Sequence, residues 1–498
     1  MNLILKALDR QAQVCPQAIA LAGLGVEISY AQLPARIDSL ALRLAAGHGP
    51  VGLLMENSPA WALIDLAAMQ ARRPLLPLPQ YFSDRQLRHA LMSAGVAELI
   101  TDDPGRILRI MGSRVGLNDG EDLRIGGQEC RWLRLCDIAP VRLPGDTAKI
   151  TFTSGTTGEP RGVCLSQAHM QQVAASLGQV AAARAEDRHL ALLPLATLLE
   201  NIGGLHVPLL NGARTELLPA VELGLTGSSG VDVSRLLVAM RRVRPSSLIL
   251  VPQLLKALVR AAGNGARPPD SLRFVAVGGA SLAPQLVEQA VKLGLPVHEG
   301  YGLSECASVL SLNPLGRQRP GSVGKPLPHV RLKFAGDGEI LIEDSPFLGY
   351  LGESRGPQRT YASGDLGYLD ADGYLYLSGR KKSMFVTAFG RNVAPEWIEE
   401  ELMAQPDIAQ AAVFGEARPW NVAVLQPAPG AARQCVDQVL ALANARLPDY
   451  ARVAAWVSAD APFSPANDQL TPNGRLRRDV IQGAYGRRLE QLYSTTHS

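Results

Sequence analysis

Lysine is scarce in this sequence. Of its 49 basic residues 41 are Arg and 8 are Lys, and residues 383–498 contain no lysine at all. A mechanism that needs a compact ammonium from the last quarter of the chain is excluded, and any cation working there must be a guanidinium. Cysteine is also rare: six residues, at 15, 130, 136, 164, 306 and 435, are scattered with no CxxC pair. That excludes a disulfide framework and a cysteine zinc site, and it fits a reducing compartment. The eight histidines form no HExxH or similar metal pattern. Nowhere is there an uncharged apolar run of about 18 residues, and residues 1–13 mix charge into a short apolar stretch, so the expectation is an unexported, cytoplasmic chain. A net charge of +3, from 49 basic and 46 acidic residues, leaves no field strong enough to imply nucleic acid. What the chain has in quantity is apolar surface. At 498 residues, 47% hydrophobic and 19% charged, it can build about three folding units with buried cores.

The first hundred residues alternate helical patterns (Ala31 to Ala45, Pro59 to Ala71) with short apolar runs (Val51 to Met55, Leu75 to Leu78), the rhythm of βαβ units on a buried parallel sheet. The rhythm recurs at Ala97 to Thr101, Ala148 to Phe152, Ser247 to Val251 and Arg273 to Val277, several of these leading straight into Gly, Pro or Ser. Loops at such strand ends are where open α/β sheets bind ligands. After about residue 320 short strands separated by Gly, Pro and Asp, such as 338–342 and 373–377, predict an antiparallel sheet or barrel. The polar run 379–383 then precedes a new α/β pattern. The expected division is residues 1–380, a hinge at 381–383, and a C-terminal domain of 384–498.

The most informative stretch is Ile150 to Val163. A strand runs into a loop with the hydroxyls of Thr153, Ser154, Thr156 and Thr157, the glycines Gly155, Gly158 and Gly162, and one cation, Arg161. Glycines let backbone N–H groups approach an anion, hydroxyls add donors and the guanidinium adds a charge-assisted contact: a cradle for a polyphosphate, though without the spacing of a Walker P-loop.

Residues 152–162 resemble the signature loop of the adenylate-forming superfamily of acyl-CoA synthetases, luciferases and nonribosomal-peptide adenylation domains, and further family segments follow in order. Residues 277–282, with Gly279, Ala280 and Ser281, resemble the strand that borders adenine and acyl group; 300–305 resemble the YGxTE element, with Tyr301, Gly302 and Ser304 at the nucleotide and Glu305 at Mg²⁺. Residues 361–365 resemble the TGD element, whose Asp365 takes ribose hydroxyls, and 379–382 the hinge, with Arg380 on the ribose and Lys382 at the pivot. The fold this implies is α/β: a large N-terminal part of two α/β subdomains with mainly parallel sheets plus a β-barrel-like subdomain, and a small mobile α+β C-terminal domain. The implied reaction is attack of a carboxylate on the α-phosphorus of ATP, giving acyl-adenylate and pyrophosphate, followed by displacement of AMP by the thiol of CoA or of carrier-protein phosphopantetheine.

The small-residue run 278–280 and the segments 389–396 and 470–472 resemble long-chain members, which leans the acid towards a medium- or long-chain fatty acid, with aryl acids and an acyl carrier protein acceptor left open. Thr197, Gly279, Gly302 and Gly390 are the residues assigned to the substrate. Two departures stand out: Thr197 falls where a histidine is usual, and Arg475 falls where the family has the lysine that bridges carboxylate and α-phosphate. Arg475, with Thr153 and Glu305, is assigned to catalysis. Because guanidinium and ammonium are not interchangeable at a point contact, a nucleotide-binding accessory protein with weak adenylation is the alternative. The basic cluster Arg241, Arg242 and Arg244 is expected on a solvated helix face, with at most peripheral membrane contact.

Overall fold

Strands buried on both faces need no polar alternation, so the short aliphatic runs become the parallel strands of two sheets. The computed structural model describes all residues except 1, 154–160, 227–229, 281, 354–358, 390, 472–473 and 495–498, and the side chains of 116–119 and 392. One sheet has nine strands, in the order Lys325–Pro326, Ser311–Leu312, Val297–Tyr301, Phe274–Val277, Ser247–Leu250, Arg188–Ala191, Arg214–Leu217, Ile19–Gly23 and Val26–Ser29. Its central pairings are parallel and both edges antiparallel. The second sheet has eight strands, with Thr147–Thr153, Leu75–Pro77, Val51–Leu54 and Glu98–Thr101 parallel at its centre.

The helix Pro59–Gln70 shows how the two are joined. Ser58 caps it, its hydroxyl accepting from Trp61 N at 3.2 Å, and Pro59 supplies a preset φ at the first turn. Residues Pro59 to Met69 are all buried, because one core cluster wraps this helix with side chains from both sheets, Leu21 and Leu217 on one side and Val51 and Leu75 on the other. A third unit, expected as barrel-like, is a four-stranded antiparallel sheet of Arg331–Phe334, Glu339–Glu343, Thr360–Leu369 and Leu375–Arg380.

Beyond it the hydrophobic clusters change membership entirely. Those running from Phe385 to Leu489 contain no residue from earlier in the chain, and they pack the sheet Ile408–Phe414, Asn421–Pro427 and Val453–Ser458 against the helices Pro395–Met403, Arg433–Arg446 and Arg478–Ser494. Mixed α/β architecture with a smaller C-terminal unit is therefore what the chain adopts. Arg241 and Arg242 are exposed at the C-terminal end of the helix Val233–Val243, with Arg242 paired to Glu222 at 3.1 Å. That position complements the helix dipole and gives the cluster its solvated role. Among the described residues no helix is long and apolar enough to cross a membrane.

Candidate functional site

Charged groups from the two large sheets, the four-stranded sheet and the C-terminal unit come together around Tyr301, Glu305 and Arg475. The strand Thr147–Thr153 delivers Thr153, whose hydroxyl sits 3.4 Å from the Arg161 carbonyl, and Arg161 opens the returning strand. Ser154, Gly155, Thr156, Thr157 and Gly158, between them, lie outside the described residues, as do Ser281 and Gly390. The Arg161 guanidinium lies over the Tyr350 ring, 3.6 Å from its centroid, and is paired with Glu353. Tyr350 in turn donates to Glu305 Oε1 at 2.7 Å. Burial first, and the Glu305 charge second, push the Tyr350 phenol up to about 12, so it stays a donor. One aromatic side chain thus links the loop cation to the carboxylate, and nothing in the sequence marked Tyr350 for this, 45 residues from Glu305.

A second knot holds Asp365. The carboxylate, 6% exposed, accepts from Tyr301 Oη at 2.7 Å on one oxygen and from Arg380 Nε at 2.6 Å on the other. Burial, then the Asp365 charge, hold the Tyr301 phenol well above its usual range. Gly302 follows directly, and a Cβ there would meet the Ser308 carbonyl oxygen at 1.7 Å, so only glycine lets the two backbone segments close up. Ser304 opens the short 3₁₀ turn Ser304–Cys306 that carries Glu305.

Arg475 joins these groups from the C-terminal unit. Its loop is a tight reversal: Thr471 N donates to the Arg475 carbonyl at 2.7 Å, Arg475 N donates to Thr471 Oγ1 at 3.0 Å, and Gly474 takes φ +77. The guanidinium borders a cavity of about 440 Å³ and is solvent-exposed, though crowded by the protein around it. Among the described residues it has no hydrogen-bond or ion-pair partner. Burial first and Arg380 second lower its pKa, with Asp365, Glu305 and Tyr301 acting the other way. An unpaired cation among mixed charges in a cavity is suited to an anionic ligand.

From the charged end the cavity continues along one face of the nine-stranded sheet. Register pairs His189 with Ser247, Ser247 with Phe274 and Ile249 with Ala276, and with Val251, Gly278 and Gly279 these line it. Leu199, Gly203 and Val207 also line it, and the two sides come together in places: a Cβ on Gly203 would lie 2.7 Å from Ile249 Cδ1. At the deep end Phe274 lies beside Arg273, which is held by Asp187 at 2.6 Å. Gly279 has φ +90, and a Cβ there would meet Val251 Cγ1 at 3.9 Å; Ala280 is exposed outside the lining.

Thr197 borders the cavity, its hydroxyl donating to the Pro194 carbonyl at 2.7 Å. Two unforeseen side chains pin that loop: Asn57 bonds to Leu193 O at 2.8 Å and Leu195 N at 2.7 Å, and Glu200 Oε2 accepts from Leu193 N at 3.1 Å. Glu200 also takes His189 Nε2 at 2.7 Å, while burial keeps its carboxyl above the usual range. The π-helix Asn201–His206 that follows is anchored by a buried cluster: Lys149 Nζ on Asp65 at 2.6 Å, His206 Nε2 on Asp65 at 2.9 Å, and Asn201 touching both. Burial alone would raise the Asp65 carboxyl; Lys149 and His206 overcome it and hold it well below the carboxylate range.

Lys382 is exposed in the turn after Arg380 and has no ion-pair partner among the described residues, whereas Lys381 is tied to Asp337 at 2.6 Å and Glu339 at 2.8 Å. No group of three or more metal-ligating His, Cys, Asp or Glu exists among the described residues. Glu305 keeps Oε2 without a hydrogen bond among them, which fits a hard cation that takes one protein carboxylate and draws its other oxygens from phosphates and water.

Residues 8–351 match the family described as AMP-binding enzyme, and residues 382–497 match the AMP-binding enzyme C-terminal domain. The long-chain-fatty-acid–CoA ligase FadD15 of Mycobacterium bovis is 26% identical, over 87% of this chain and 86% of that protein. Indoleacetate–CoA ligase of Aromatoleum aromaticum is 28% identical, over 89% of this chain and 91% of that one. Among solved structures, the anthranilate CoA ligase AuaEII in complex with anthranoyl-AMP has a TM-score of 0.80 at 20% identity, covering 97% of each chain, a likeness of fold. With the match to residues 8–351 spanning well over half of its length, the chain belongs to the AMP-binding enzyme family.

Proposed function

We propose that this enzyme activates a medium- or long-chain fatty acid with ATP, forming an acyl-adenylate and then a CoA thioester. The observation that carries the reading is the continuity of one cavity from the unpaired Arg475 guanidinium to a mostly apolar stretch along the sheet. Four residues separate Gly278 from Phe274 along the strand, about 13 Å at the usual rise. An extended alkyl chain advances about 1.25 Å per carbon, so a chain laid along this strand would run roughly ten carbons from Gly278 to Phe274 and the Arg273–Asp187 pair. A flat aryl acid would leave most of that length unfilled.

In this reading the acid's carboxylate and the α-phosphate meet at Arg475, which neutralises charge as it builds. The outer phosphates lie along 153–161 with Arg161 at the end. Tyr301 flanks the adenine, and Asp365 and Arg380, already fixed against each other, meet the ribose hydroxyls. Mg²⁺, held through Glu305, would supply charge neutralisation on the phosphates. The chain divides at 1–380, 381–383 and 384–498, and the C-terminal unit turns about Lys382 between the half-reactions. The placement of Arg475 in the cavity favours a working ligase over an accessory binding protein. Pyrophosphate release with saturated acids of increasing length, and with aryl acids, tests this. The expected profile peaks near ten carbons; no release with any acid would overturn the reading.

A further inference from the structure

The helix Pro252–Gly263 touches both halves of the site. Gln253 and Leu254 line the cavity, and a Cβ on Gly474, the neighbour of Arg475, would sit 3.6 Å from Gln253 Nε2. Three residues on, and so on the same face of that helix, stands Lys256. Its ammonium donates to the carbonyls of Met403 at 2.9 Å and Ile408 at 3.3 Å, both in the C-terminal unit. Met403 is the last residue of the helix Pro395–Met403, where carbonyls lack intrahelical partners and the dipole is negative. A cation from one unit therefore caps a helix of the other, and Ile408 is the first residue of the strand that follows. Gln285 Nε2, from the neighbouring helix, lies 3.4 Å from Glu401 in the same interface.

These contacts exist only while the C-terminal unit sits where it places Arg475 in the cavity. We propose that Lys256 is a positioning residue: it latches the C-terminal unit in the adenylating arrangement and is released when that unit turns for thiol attack. The proposal rests on the ligase reading above for its kinetic consequence, not for its geometry. Lys256 lies in the N-terminal part, far in sequence from the hinge, and among the described residues its ammonium bonds to neither Arg161 nor the hinge turn. Its effect must therefore fall on the balance between arrangements.

Two readouts keep the tests separate. Lys256→Met keeps the aliphatic stem and removes the donor. It is expected to slow pyrophosphate release about tenfold, the scale of a lost charge-assisted hydrogen bond, while AMP release from supplied acyl-adenylate and CoA stays unchanged or rises. Lys256→Arg should restore most of the first step. Independently of activity, dyes on Cys136 and Cys435, both exposed, report the distance between units in a Cys15→Ser background. Cys130 and Cys164 are buried, which pushes their thiols up to about 11 and keeps them out of the labelling. Energy transfer should show a depleted docked population in Lys256→Met. An unchanged distance distribution, or an equal loss in both half-reactions, overturns the latch. If no acid releases pyrophosphate in the natural protein, the ligase reading falls while the energy-transfer result still decides the latch.

Discussion

The wall of the tunnel and the loop that carries Arg475 are built on opposite terms. In the wall, buried polar groups are paired into the core: Asp65 with Lys149 and His206, Glu200 with His189, Asn57 with two backbone groups of the Thr197 loop. Around Arg475 the bonds of the described residues join backbone groups and the Thr471 hydroxyl, and the Arg475 guanidinium itself has no partner among the described residues. The contrast separates two tasks. A surface that selects an acid by shape must not move, so most of its polar atoms are committed internally, His206 Nδ1 being one that has no partner among the described residues. A cation that must act on a ligand, and then leave with its domain, cannot be committed to a neighbour.

The largest expected effect comes from breaking the rigid side. Lys149→Met leaves the buried Asp65 carboxylate with only His206 and Asn201 as partners and should cost about 3 kcal/mol of stability, read as a lowered urea midpoint. Asp65→Leu combined with Lys149→Met should recover much of that loss, because no unpaired charge is left. If the double variant is as unstable as the single one, the cluster's importance lies in its shape and not its charge pairing. Next comes the mobile side. Arg475→Ala should lower pyrophosphate release about 10²- to 10³-fold at little cost in stability, leaving thiol attack on supplied acyl-adenylate nearly intact. Arg475→Lys sharpens this: a gain would show a handicapped ligase, a loss a site rebuilt around guanidinium.

The two regions were also unequally legible in the sequence. Parallel strands showed as short aliphatic runs, and Ser247–Leu250, Phe274–Val277 and Thr147–Thr153 fall within a residue or so of where those runs lie. Arg475 was legible through a motif with one discordant residue. The partners that fix these groups were not. Tyr350, Asn57, Asp65 and Lys256 act through contacts that bridge 45 to 152 residues, and each looks locally like an ordinary strand, loop or helix residue. Periodicity reports which face is buried, not which polar group another strand will bring to it. The small-residue run 278–280 was read as making room for an alkyl chain, yet the structure divides the labour. A Cβ on Gly279 would meet only Val251 Cγ1, at an ordinary 3.9 Å, whereas one on Gly278 would come within 3.3 Å of the Gly300 carbonyl, a packing requirement between adjacent strands.

A smaller effect is expected from narrowing the tunnel without touching the charged end. Ala276→Leu places a side chain about 7 Å below Gly278, so acids longer than roughly five carbons should lose about tenfold in kcat/KM while shorter ones are spared. Uniform loss across the series would mean that the chain runs elsewhere.

The smallest effect concerns the docked arrangement itself, and here the two regions meet. Glu299, on the strand Val297–Tyr301, is 8% exposed; burial first, and the charge of Glu400 on the helix Pro395–Met403 second, push its carboxyl up to about 8. Glu400 belongs to the same helix that Lys256 caps, so docking brings a like charge towards Glu299 while it brings a carbonyl to Lys256. The sign follows from linkage. A carboxyl whose pKa is raised on docking favours the docked state while it carries its proton, fully so below the ordinary carboxylate range, and loses that preference as pH rises through about 8. At the effective dielectric of a partly wet interface the repulsion is worth about a threefold change in the docked fraction. Energy transfer between labelled Cys136 and Cys435 should therefore weaken as pH rises through about 8 in the natural protein and stay flat in Glu299→Gln. Glu400→Gln, which leaves the burial and removes only the charge, should keep part of the slope. A profile identical in all three would detach Glu299 from docking and leave the Lys256 cap as the contact that sets where Arg475 stands.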